Sequence, residues 1–322
     1  MTSLQQYLGK LFKVQCMHYF IVYQYGKVGS SAVVDTLNTL PGAEACQVHF
    51  FDQKSFQNTF NRLLSPTLSD YMFHHSSGQL MQNIAAYRRF LRAGQEGERT
   101  TILTMCRDPF DWFRSCVTQD IAEYLPSFHY TLNALGIPYE VDDEAVFHGL
   151  LTLFSRILQA LELSGGIDNL TTEKRQALRK SMDFADNRDF QLFLFLLGRF
   201  LMPHNWFSTH LHPALDTNFT EMEAVSPCLF RTRKEWGNIY MLRYEQLAEA
   251  FGLALRDLGY EKIPELKATN VSASKRLNTA VREAFASDSA LLLKKQCHSE
   301  ASRLLGYGDT ALDKAPASAV SL

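Results

Sequence analysis

Tyr19-Phe20-Ile21-Val22-Tyr23, then Gln24, then Tyr25-Gly26-Lys27-Val28-Gly29-Ser30-Ser31, is the stretch on which the reading of this chain turns. The first five residues are β-branched or aromatic and form too short an apolar run for a buried helix, so they predict a buried strand. Beyond the glycine turn, Ala32, Val33, Leu37 and Leu40 recur at helical spacing until Pro41-Gly42 closes the segment. Strand, glycine turn and helix in that order open a βαβ unit. Glycines let a backbone approach an anion closely, and the first amides of a helix point at it. Lys27 adds a full positive charge beside the amides of Val28 and Gly29, and Ser30 and Ser31 add hydroxyl donors. The plainer alternative is an ordinary glycine turn with a capping serine. A Walker A loop is excluded by order, because its lysine follows the last glycine and here Lys27 precedes Gly29.

Outward from this stretch, Val48-His49-Phe50-Phe51 reads as the second strand and Thr101 to Cys106 as another. Ile239 to Arg243 reads as a late strand, followed by a helix over about 245–258. A long helical region covers about 143–206. In it Leu150, Leu151, Phe154, Ile157, Leu158 and Leu161 share one face, and Asp189 to Met202 is apolar nearly all round. The expected fold is α/β, a P-loop-like three-layer sandwich with a central parallel sheet and a helical insertion over about 120–235. One domain, 1–308, is expected, with a disordered tail over 309–322.

The chain has 322 residues, 46% of them hydrophobic and 20% charged, enough for a full core. Its formal net charge of -2 gives no global field for nucleic acid or an anionic membrane, so any anion site must be local. Six scattered cysteines without C-x-x-C spacing read as reduced thiols. No apolar run is read as long enough to span a bilayer, and no secretory leader pattern opens the chain, so a cytoplasmic location is expected.

A second anion site is expected at Arg107-Asp108-Pro109, directly after the Thr101 strand. Arg107 offers a bidentate fork, and Ser115, eight residues on, offers a hydroxyl to the same phosphate. Pro109 suits the first turn of a helix. His204, His210 and His212 lack a cysteine or carboxylate at a recognisable ligand spacing, so no metal is expected.

The lysine loop K-V-G-S-S after a strand resembles the 5'-phosphosulfate loop of sulfotransferases that use 3'-phosphoadenosine 5'-phosphosulfate (PAPS). It is especially similar to the carbohydrate sulfotransferases and to bacterial sulfotransferase-like proteins linked to capsular polysaccharide synthesis. R-D-P followed by serine is similar to their 3'-phosphate motif, which implies that Arg107 and Ser115 grip the 3'-phosphate; Trp112 stands where many relatives have a second arginine. Gln47-Val48-His49-Phe50-Phe51-Asp52 resembles the E-V-H-F-F-D segment of the heparan-type enzymes, with Gln47 in place of the basic glutamate. The V-H-F pattern of the capsule-related proteins passes the role of base to His49, and uronyl-type enzymes make His75 the rival. Met241 to Leu247 resembles the family's L-R-Y-E-D-L segment, Asn205-Trp206-Phe207 with His210 an acceptor-side segment, and the region around Lys275 the segment closing over the nucleotide.

The resemblance implies transfer of a sulfuryl group from PAPS to a hydroxyl of a carbohydrate or small molecule, in line, without a metal. Lys27, Val28, Gly29, Ser30, Ser31, Arg107, Ser115 and Lys275 would hold the donor, Lys27 would stabilise the leaving phosphate, and His49 or His75 would take the proton. Two other classes stay open: a non-catalytic nucleotide- or glycan-binding protein on the same fold, and a P-loop kinase, which the lysine position disfavours.

Overall fold

The computed structural model describes residues 18–64, 70–96, 99–118, 143–184, 186–266 and 278–308. In chain order these form β1 (His18–Tyr23), α1 (Ser30–Leu37), β2 (Ala43–Val48), α2 (Gln53–Leu63), α3 (Asp70–Glu96), β3 (Arg99–Cys106), α4 (109–118), α5 (Asp143–Ser164), α6 (Thr172–Ser181) and α7 (Asn187–Phe200). A π turn, Phe207–Leu211, precedes β4 (Glu223–Ser226), β5 (Leu229–Lys234), β6 (Gly237–Arg243) and α8 (Leu247–Asp257). Then come α9 (Asn278–Phe285) and α10 (Asp288–Gln296). The chain packs as two compact units, 1–106 with 207–269, and 107–206 with 270–322.

The first unit is an α/β body around one six-stranded sheet in the order β2-β1-β3-β6-β5-β4. Strands β2, β1, β3 and β6 run parallel, whereas β5 and β4 are antiparallel. The sheet is therefore mixed, not wholly parallel as the sequence led us to expect. The cause is local: Glu235-Trp236 forms a tight turn that folds β5 back on β6, with Lys234 opposite Gly237. At Gly237, φ is +153° and an added Cβ would sit 1.9 Å from the Thr100 carbonyl oxygen, so only glycine lets β6 start against β3.

Every residue of β1 is buried, and its two faces meet different partners. Tyr19 lies under the Arg89 guanidinium of α3 at 4.1 Å, and Tyr23 packs on Phe51, which in turn meets Tyr87 and Phe90 of α3. His18 and Phe20 point the other way, onto Tyr260 just after α8. The chain moves one way from β1 to β2 and back past β1 to β3, so right-handed crossovers set α1 on the face opposite α3. Helices thus flank the sheet on both sides.

The second strand is displaced from its expected place. It runs Ala43–Val48 rather than over 48–51, and His49 lies just beyond its end. Asn83 of α3 ends the ladder by accepting the His49 amide at 2.9 Å and the Phe50 amide at 3.4 Å, and Asp52 then caps α2. Alternation along a strand consequently says nothing about where His49 points.

The second unit is helical in its described residues. The buried stripe of α5, with Leu150, Phe154, Ile157 and Leu161, packs in this unit, where Phe154 meets Phe285 of α9 at 4.9 Å. Val146–Ser164 has the length and a mean hydropathy of 1.2 to cross a bilayer, but it also carries Arg156, bound to Asp189 of α7 by two hydrogen bonds of 2.7 and 2.8 Å. Cys46, Cys228 and Cys297 are free thiols. Lys275 and the tail over 309–322 lie outside the described residues.

Candidate functional site

The lysine loop joins β1 to α1 where the sheet's strand order reverses, between β1 and β3. In open α/β sheets, ligands bind beyond the carboxyl ends of the strands at such a point. Gly26, Lys27 and Gly29 all take positive φ, of 90°, 56° and 77°. The left-handed conformation is unfavourable for a residue with a Cβ, so Lys27 is held there by its surroundings. Turns of this kind form anion-binding concavities. Gly29 occupies the N-cap of α1 and offers no side-chain cap, so the leading amides of the helix, those of Ser30 and Ser31 among them, have no acceptor inside the helix. Val28 and Ser30 are buried, anchoring the turn from within, while Lys27 and Ser31 are half-buried.

Gln24, fully buried, ties this turn to His49. Its side-chain oxygen accepts the Gly26 amide, and its backbone carbonyl lies 3.3 Å from His49 Nδ1. On the other side of the ring, the Gln47 amide nitrogen is 3.2 Å from His49 Nε2. The Gln24 side-chain nitrogen also lies 3.4 Å from Nδ1. With the proton on Nδ1 donated to the Gln24 carbonyl, Nε2 accepts from Gln47, and the Gln24 side-chain nitrogen, a donor only, makes no hydrogen bond to the ring. His49 is thus clamped between two glutamines, and Gln24 couples its ring to the turn carrying Lys27. Neither Gln24 nor Asn83 was singled out from the sequence, because a glutamine and an asparagine carry no positional signal until the backbone brings them to their partners.

A second histidine enters the same end of the sheet. His210, on the π turn, has Nδ1 3.5 Å from Asp52 Oδ2 and 3.3 Å from Ser55 Oγ. Phe207, at the start of that turn, meets Tyr25 of the lysine loop edge-on with ring centroids 6.3 Å apart. The sequence flagged His210 without revealing Asp52 as its neighbour, since 158 positions separate the two in the numbering.

In the second unit, Arg107 directly follows β3 in the chain and is half-buried, as is Ser115 on α4. Asp108 is the structural member of the R-D-P motif. Its Oδ1 accepts the Asp111 amide at 2.9 Å, capping α4, and its Oδ2 is 3.0 Å from His298 Nε2. Burial raises the Asp108 pKa, but the His298 and Asp111 hydrogen bonds outweigh it and hold the carboxyl below its ordinary range. Trp112, at the position of a second arginine in the resembling family, is a core residue only 1% exposed. Arg114 is exposed and pairs with Asp111 on its own helix at 3.0 Å.

His75 lies on α3, after exposed His74, and its side chain is outside the described residues. His204 in the second unit binds Ser299 Oγ at 3.1 Å, and burial pushes its pKa down to about 3. Among the described residues no three histidines, cysteines or carboxylates gather as a metal site.

What fold and site define is an α/β body with a mixed six-stranded sheet and a strained glycine–lysine turn at its topological switch point. No family model matches the chain, and no curated protein and no solved structure matches it either.

Proposed function

We propose that the chain is a sulfotransferase of P-loop-like architecture that moves the sulfuryl group of PAPS to a hydroxyl of a carbohydrate or small-molecule acceptor. The observation that carries this reading is the turn Gly26–Gly29, left-handed at three of its four positions and set between β1 and α1 at the switch point. In this reading Lys27 and the amides from Val28 to Ser31 hold the 5'-phosphosulfate, and Lys27 offsets the charge that grows on the departing phosphate. Arg107 and Ser115 take the 3'-phosphate, with Asp108 fixing the helix start between them; Lys275 belongs to the same nucleotide. A histidine beyond the ends of the strands takes the acceptor's proton, His49 and His75 being the two the sequence names. The setting is cytoplasmic and the chemistry needs no metal.

A second reading is favoured by one contact. Gln47 donates to His49 Nε2, which occupies the lone pair a base would use. A nucleotide- or glycan-binding protein without turnover on the same scaffold would tolerate that arrangement. Calorimetric titration with 3',5'-diphosphoadenosine and with ATP tests the donor assignment. Micromolar or tighter binding of 3',5'-diphosphoadenosine, weakened by Lys27→Ala and not matched by ATP, is the expected result. Preference for ATP, or indifference to Lys27→Ala, rules the proposal out.

A further inference from the structure

Asp52 and Ser55, at the start of α2, meet His210, 155 residues beyond Ser55, at the end of the sheet that carries the lysine loop. Asp52 is buried and uses both carboxylate oxygens: Oδ1 accepts the Ser55 amide at 2.8 Å, and Oδ2 accepts the Ser55 hydroxyl at 2.6 Å. The Ser55 proton is therefore committed to Asp52. Both oxygens facing His210 Nδ1, Asp52 Oδ2 at 3.5 Å and Ser55 Oγ at 3.3 Å, are acceptors in this arrangement. Nδ1 must then be the nitrogen that carries hydrogen, and the lone pair of the neutral ring sits on Nε2.

This is the arrangement a proton acceptor needs. A carboxylate fixes the tautomer and faces the ring that becomes positive, so the imidazolium is stabilised as it forms. The His210 side chain is 35% exposed, against 7% for Asp52, so the carboxylate is sheltered while the ring reaches solvent. The π turn supplies the placement: inserting a residue into a helical path re-aims a side chain, and such turns recur at functional sites. Its first residue, Phe207, packs on Tyr25 of the lysine loop, so the turn and the loop share one end of the sheet. His49 is held differently: its Nδ1 lies 3.3 Å from the Gln24 carbonyl oxygen and 3.4 Å from the Gln24 side-chain nitrogen, and its Nε2 3.2 Å from the Gln47 amide nitrogen, which tie the ring to the lysine loop and to β2.

We propose that His210 takes the acceptor's proton, with Asp52 and Ser55 as its positioning residues, and that His49 positions the lysine loop through Gln24. The inference rests on the sulfotransferase reading. In the step, the acceptor oxygen bonds to sulfur as the bond from sulfur to the bridging phosphate oxygen breaks. The bonding pair leaves on the phosphate of 3',5'-diphosphoadenosine, and the hydroxyl proton passes to His210 Nε2.

Two measurements that need no known acceptor test the assignment, and a third reads turnover. Nitrogen-15 imidazole NMR should find His210 protonated on Nδ1 alone at neutral pH, and Asp52→Asn should abolish that preference. Diethyl pyrocarbonate, which acylates unprotonated imidazole nitrogen, should modify His210 at least tenfold faster than His49, and saturating 3',5'-diphosphoadenosine should slow the reaction. With 4-nitrophenyl glycosides as acceptors, His210→Gln should lower PAPS turnover at least a hundredfold and leave 3',5'-diphosphoadenosine affinity within twofold. If the nucleotide binds but His210 is protonated on Nε2, unreactive or unprotected, the inference fails while the donor reading survives. Turnover by His210→Gln equal to wild type also overturns it. Failure of 3',5'-diphosphoadenosine to bind the wild-type protein removes the donor reading and the inference together.

Discussion

Replacing Gly29 by alanine perturbs the lysine loop in two separable ways. Its φ of +77° is left-handed, where a side chain costs roughly 1–2 kcal/mol. An added Cβ would also lie 2.7 Å from Leu247 Cδ2 and 3.3 Å from Tyr244 Cε2, well inside ordinary carbon contact. Overpacking of this size costs roughly 1–3 kcal/mol, and the lower half applies because Leu247 Cδ2 ends a side chain that can swing. Gly29→Ala should therefore destabilise by about 2–4 kcal/mol. Gly26→Ala is the internal control: φ is +90°, but nothing lies within 4 Å of its added Cβ, so only the backbone part of about 1–2 kcal/mol applies. Urea unfolding followed by tryptophan fluorescence reads both variants. The double variant Gly29→Ala/Leu247→Ala isolates the clash, since removing Cδ2 should return about 1 kcal/mol relative to the sum of the single changes. If Gly26→Ala costs as much as Gly29→Ala, or if Gly29→Ala and Leu247→Ala simply add, the close approach of α1 to the start of α8 is not what requires glycine.

Two further outcomes follow from other parts of the molecule. Arg107→Ala should weaken 3',5'-diphosphoadenosine by roughly 2 to 4 kcal/mol, the scale for losing one partner of a charge-assisted pair, and leave adenosine 5'-phosphosulfate, which has no 3'-phosphate, nearly unchanged; equal losses in titration calorimetry would make Arg107 a structural residue. His18, bonded to Thr101 Oγ1 at 2.8 Å and to Tyr260 OH at 3.1 Å, has its pKa lowered from 6.5 to about 4, first by burial and then by the Arg99 charge. The unfolded chain takes up this proton near pH 6.5 and the folded chain only near 4, so stability falls as pH drops through that window, by up to about 1.4 kcal/mol per unit. In His18→Gln the urea midpoint should decline less steeply between pH 6.5 and 4, and an unchanged slope would contradict the assignment.

The strand Tyr19–Tyr23, the glycine turn and the helix after it were legible because all three signals are local: β-branched composition, glycines at the bend, then helical spacing. The same holds for Thr101–Cys106 and Ile239–Arg243, two further apolar strands of the sheet centre. Ala43–Val48 was misplaced because it lies at the sheet edge with weak strand formers, and what makes it a strand is pairing with β1, from His18 opposite Ala43 to Tyr23 opposite Val48. What ends it is Asn83, a residue 34 positions from His49, and no local pattern announces such a stop. The mixed sheet was missed for a similar reason, since the direction of β5 is decided by the two-residue turn Glu235-Trp236, after which Gly237, the first residue of β6, must clear the Thr100 carbonyl. By itself, then, the sequence determined the lysine loop and its candidate anion chemistry, which depend on neighbours within one turn of chain. The tertiary structure alone decided that Gln24 ties the loop to His49 and that Asp52 and Ser55 orient His210. Those contacts join segments whose separation in sequence carries no information about their distance in space.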